Sequence, residues 1–79
     1  MAVRRDVEIR GDTIRLGQLL KLAGVIGSGA EGKTLLATRT VLVNGEPDGR
    51  RGRQLHPGDV VTVDGEELRI TDESAGGDG

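Results

Sequence analysis

One stretch of the chain has the spacing of a phosphate-binding loop. Gly27-Ser28-Gly29-Ala30-Glu31-Gly32-Lys33-Thr34 fits G-x-x-x-x-G-K-[ST] at every position, a pattern whose backbone amides cradle phosphates while the lysine reaches the terminal ones. Val60-Val61-Thr62-Val63-Asp64 is an apolar run ending in an acid, which resembles the strand that holds magnesium in such enzymes. The surroundings lack the remaining parts. A phosphate loop needs a strand before it, a full helix after it and a parallel crossover of roughly a dozen residues or more. Here only Thr34 to Arg39 separate the loop from the next strand-like run. Asp64 is followed by Gly65 and reads as a hairpin turn. Nucleotide binding is therefore an alternative reading, carried by the pattern alone.

Other chemistry is excluded by composition. The chain has 79 residues, no Cys and one His, so disulfide scaffolds, thiolate zinc sites, cysteine nucleophiles and multi-histidine metal sites are ruled out. His56 lies before Pro57 with no nucleophile at a recognisable spacing, and reads as an exposed turn residue. The carboxylates near the C-terminus scatter over turns and tail rather than forming a catalytic pair. We expect no enzymatic activity and no cofactor. Phe, Tyr and Trp are absent, which excludes RNA binding by aromatic stacking.

The basic residues are the remaining cluster. Net charge is −2, but it is polarised along the chain. Residues 1–14 balance to zero, residues 15–53 carry +4 and residues 54–79 carry −6. A Debye length is about 8 Å at physiological salt, so a basic face acts locally despite an acidic opposite end. Arg50, Arg51 and Arg53 flank Gly52, with Gln54 beside them, while Arg15, Lys21 and Lys33 fall on two helix-like segments. Guanidinium forks match phosphate oxygens. These seven residues are the candidate contacts to an RNA backbone.

The elements that must position them follow from periodicity. Val7 and Ile9 alternate with Asp6, Glu8 and Arg10 as a short half-buried strand. Leu16, Leu19, Leu20 and Ala23 recur at helical spacing, with Arg15, Gln18 and Lys21 on the opposite face and Gly24 as the C-terminal cap. Ser28 and Glu31 form a capping-box signal for a second helix over residues 29–38, weakened by Gly32 by about 1 kcal/mol relative to Ala. From Thr40 the period becomes two. Val41 and Val43 share a face before the turn Asn44-Gly45, and Pro57-Gly58-Asp59 turns into the strand Val60, Val61, Val63. Asp64-Gly65 then leads to a last strand with Leu68 and Ile70. The 21 Leu, Ile and Val residues suffice for a small aliphatic core. The pattern predicts an α+β domain over residues 1–71: two short helices packed on a small twisted, mainly antiparallel sheet. Residues 72–79, acidic and Gly-rich, read as a disordered tail.

In this order the segments resemble one family. Ile14-Arg-Leu16-Gly-Gln-Leu-Leu20-Lys21-Leu-Ala-Gly24 and Ser28-Gly-Ala-Glu-Gly-Lys33 look like the helix pair of the RNA-binding domain of ribosomal small-subunit protein S-four. Val41-Leu-Val43-Asn44-Gly45-Glu46, Arg50-Arg51-Gly52-Arg53-Gln54-Leu55 and Pro57-Gly58-Asp59-Val60-Val61 continue the likeness. It is closest to the stand-alone bacterial version, the YbcJ-like proteins, and covers roughly residues 12–64. The resemblance implies a module that binds structured RNA through its two helices and adjoining loop, often in a ribosomal context. Two positions depart from the pattern: Gly32 stands where Ala is usual, and Arg39 where Gly usually ends the second helix.

A second rival rests on Leu55-x-x-Gly58-Asp59-x-Val61 and on Gly76-Gly77, which are similar to segments of β-grasp sulfur carriers and related interaction modules. Asp78-Gly79 follows the glycine pair, and the strand–helix–helix start fits a β-grasp poorly. With no targeting signal and no long apolar run, the expectation is a monomeric cytoplasmic protein, off the membrane, partnered by structured RNA and by the ribosome or its associated proteins. Millimolar MgATP should leave its melting temperature unchanged. A clear upward shift, as ligand binding to the native state produces, would restore the phosphate-loop reading.

Overall fold

The computed structural model describes residues 3–72. Its elements run β1 (Val3–Ile9), β2 (Ile14–Arg15), α1 (Leu16–Leu22), α2 (Gly29–Thr38), β3 (Val41–Val43), β4 (Glu46–Pro47), β5 (Gln54–Leu55), β6 (Val60–Val63) and β7 (Glu66–Asp72). Five strands form one sheet in the order β1-β7-β6-β3-β4, and β2 pairs with β5 in a separate two-stranded ribbon. All pairings are antiparallel except that of β1 with β7, which is parallel. The architecture is the α+β, mainly antiparallel one that the periodicity predicts.

The sheet's buried face follows from its register. Val43, Val61 and Leu68 stand side by side across β3, β6 and β7, while Val7 lies opposite Ile70 on β1 and β7. Leu16, Leu19 and Leu20 of α1 and its C-cap Ala23 bury against this face, with Ile26 and Leu55 closing the cluster. No polar side chain of the described residues is buried in it. Each fully covered Leu, Ile or Val contributes about 1.5–3 kcal/mol, and in so small a chain these side chains set the stability.

Turn chemistry fixes the strand pairing. Asn44 and Gly45 have φ of 53° and 84°, and Asp64 and Gly65 have 51° and 78°. Positive φ at both central positions defines the hairpin turn that Asn-Gly and Asp-Gly favour. β1 is longer than the alternation around Val7 and Ile9 suggests. Val3 to Asp6 carry no burial signal, yet they pair in register with Glu66 to Arg69. The last strand likewise runs through Asp72, opposite Ile9, so the strand claims one residue assigned to the tail. Residues 73–79 lie outside the described residues.

Helix α2 is thinly held. Gly32 is its one fully buried residue, with Leu35 and Leu36 packed part-buried against the core. A Cβ on Gly32 would come 2.8 Å from Ile26 Cδ1, the far end of a side chain that can rotate. At its C-terminus Arg39 leaves in extended conformation, φ −120° and ψ 149°, so the helix ends without the glycine usual there. Gly32→Ala should therefore gain helix propensity worth about 1 kcal/mol while spending part of it on moving Ile26. We expect a neutral to mildly stabilising change in urea denaturation, and destabilisation beyond about 1 kcal/mol would show that Ile26 cannot yield.

Candidate nucleic-acid interface

Helix α1 has only seven residues, and its N-cap Arg15 offers no side-chain hydrogen bond. The first amides of a helix have no acceptor within it, and here a distant loop supplies them. Leu16 N–H donates to the Arg53 carbonyl at 2.9 Å, and Gly17 N–H to the Arg51 carbonyl at 3.0 Å. At the other end, Gly24 (φ 78°) closes a Schellman-type turn, with its N–H on the Lys21 carbonyl and the Val25 N–H on that of Leu20. The Arg5 guanidinium then reaches from β1 to the Ala23 carbonyl at 2.5 Å, a cation at the helix's negative end.

The loop that caps α1 is braced by Asp48. Its carboxylate accepts from Arg50 at the backbone N–H (3.0 Å), Nε (3.2 Å) and an Nη (3.1 Å), and from an Arg53 Nη at 2.6 Å. Only 7% of the Asp48 side chain is exposed. Hydrogen bonds from the Arg50 side chain, then from its backbone and from Arg53, hold the carboxyl far below the ordinary carboxylate range. The Asp48 N–H donates to the Val41 carbonyl at 2.9 Å, so the brace is anchored on the sheet.

This arrangement sorts the predicted contacts. Arg15, Lys21 and Arg51 line one groove of about 390 Å³ between α1, the start of α2 and the loop. Gly17, Gln18, Ile26, Gly29, Gly32 and Gly52 complete its lining, and among the described residues no acid lines it. Among the described residues no acid pairs with Arg15, Lys21, Lys33 or Arg51. Lys33 is exposed on α2, outside the groove, and Gln54 pairs with Arg15 across the β2–β5 ribbon. Arg50 and Arg53 turn to Asp48 instead. Gln18 joins the groove and has a signal in the sequence, falling midway between Arg15 and Lys21 at helical spacing. Asp48 has none, since an acid inside a basic loop reads as ordinary surface.

The phosphate-loop pattern is built as a helix start. Ser28 Oγ accepts from the Glu31 N–H at 3.3 Å, and the Glu31 carboxylate accepts from the Gly27 N–H at 3.0 Å. The Glu31 carboxylate thus takes the first amide of the pattern, and the residues leading in from α1 are turn and loop rather than strand.

A small, mainly antiparallel sheet, a helix pair and a basic groove beside the β4–β5 loop define a class. The S4 domain sequence profile matches residues 7–71, and this chain belongs to the S4 domain family. It is 54% identical over 59 residues to a Bacillus subtilis protein named as a probable ribosome maturation protein, RlbA, an alignment covering 75% of this chain and 83% of that one.

Asp48→Asn keeps the shape of the brace and removes its charge. A carboxyl whose pKa is depressed in the folded state stabilises fully above its unfolded value, about 3.9. That contribution is lost as pH falls through the lower folded value. The variant should melt below wild type at neutral pH, with the gap closing under about pH 4. Circular-dichroism melts across this range read the effect, and a gap independent of pH would assign Asp48 a packing role alone.

Proposed function

We propose that this protein is a non-enzymatic RNA-binding module that grips the backbone of structured RNA and acts in ribosome maturation. The observation that carries this reading is the convergence of Arg15, Lys21 and Arg51, without acidic partners among the described residues, on one groove of a chain whose net charge is −2. Unpaired cations in a groove walled by low-dielectric protein attract a polyanion despite the overall charge. The similarity to a Bacillus subtilis protein named as a probable ribosome maturation protein supports ribosomal RNA as the target class. Without aromatic residues the groove lacks aromatic platforms for bases, which favours readout of shape, phosphates and 2′-hydroxyls. The Gln18 amide suits the last of these, being both donor and acceptor. We assign phosphate contacts to Arg15, Lys21, Arg51 and Lys33. Arg50 and Arg53 act mainly through Asp48, by shaping the loop.

Filter binding of an RNA hairpin against unstructured oligo(A) tests the reading. Hairpin binding should dominate, with log K falling against log[salt] at a slope of about −3 for four contacts. Arg51→Ala should flatten the slope by roughly 0.7–0.9. Arg50→Ala should flatten it less, because Asp48 already neutralises that side chain. Equal binding of both RNAs, or none of either, would overturn the proposal.

A further inference from the structure

The groove floor carries an unexplained feature. Of the glycines among the described residues, five lie at positive φ, where a side chain is strained. Gly32 is crowded by Ile26, and Gly17, Gly27 and Gly49 would bring a Cβ into ordinary contact with neighbours. Gly29 and Gly52 fit neither account. Each has an ordinary φ, and a Cβ on either would meet nothing within 4 Å. The fold has no use for glycine at these two positions; Gly29, as the first residue of α2, even forgoes helix propensity. Both line the basic groove, together with Arg15, Lys21 and Arg51.

We propose that Gly29 and Gly52 are the surface on which the RNA sugar–phosphate backbone lies, and that their missing side chains determine what the groove accepts. This deepens the RNA-binding reading and rests on it. A glycine lets a ligand come into contact with the main chain itself. A methyl group at either position would hold the backbone off by roughly 2 Å, the half-thickness of a carbon contact. Charge-assisted hydrogen bonds need about 2.7–2.9 Å between nitrogen and oxygen, so a ligand lifted by that much loses its fit to the cations. A splayed base, which can tilt around one methyl group, is less affected than a duplex backbone whose path is fixed. The floor therefore selects the continuous backbone of a paired stem.

Gly29→Ala and Gly52→Ala change no charge and meet no neighbour. Their melting temperatures should equal or exceed that of wild type, because alanine restricts the unfolded chain. Binding of an RNA hairpin should nevertheless weaken by about tenfold for each, the loss of one charge-assisted hydrogen bond, with the salt slope less steep as cations lose their phosphates. Gly49→Ala, in the same loop but outside the groove, is the control and should bind as wild type. Wild-type affinity in both floor variants overturns the proposal, as does an equal loss in Gly49→Ala or a loss that follows a fall in melting temperature. Failure of the wild-type protein to bind the hairpin would instead remove the RNA-binding reading beneath it.

Discussion

Two hydrogen bonds from the first amides of α1 to carbonyls of the Arg51–Arg53 segment hold together the parts on which function depends. An isolated seven-residue helix is unstable in water, since nucleation costs more than so few bonds return. Helix α1 persists because its apolar face is buried, because Arg5 meets its C-terminal carbonyl, and because residues more than thirty positions away receive its N-terminal donors. The capping loop is fixed in turn by Asp48. Burying that carboxylate would be costly alone, but four charge-assisted hydrogen bonds compensate it. Scaffold and groove share these bonds, so the groove is formed before any ligand arrives.

Charge segregation follows from the same topology. Arg4 and Arg5 on β1 pair with Glu67 and Glu66 on β7, and Arg39 pairs with Asp64 in the last hairpin turn. These partly exposed pairs add little stability individually. Their larger effect is to match the acids of the C-terminal strands with arginines outside the groove. The cations of the groove face no such competitor, and a chain of net negative charge presents a positive cleft.

Much of this architecture was legible in local patterns. The Leu16–Ala23 stripe, the Ser28 cap and the Asn44-Gly45 turn each determine structure through near neighbours, and all three lie where their spacing places them. Interactions across long separations were not. Val3 to Asp6 become strand only because β7 is there to pair with them. Nothing near Asp48 announces that its carboxylate is enclosed by Arg50 and Arg53. The phosphate-loop pattern shows the converse: eight matching letters whose backbone is occupied by a helix start and by the Glu31 carboxylate. For the groove, residue type identified the cations, while the partition between free and braced arginines needed coordinates.

The parallel pairing of β1 with β7 also orders events during synthesis. β7 lies between β1 and β6 in the sheet, yet among the described strands it is the last to leave the ribosome. Until Glu66–Asp72 emerges, β1 has no neighbour in the sheet, and Val7 has no Ile70 beside it. The β3–β4 hairpin can form early from local contacts, whereas closure of the sheet joins the two ends of the domain and bears the entropy of a loop nearly as long as the chain. The sheet is therefore closed only once β7 has been made, and a chain lacking β7 loses an interior strand of its sheet rather than a dispensable edge.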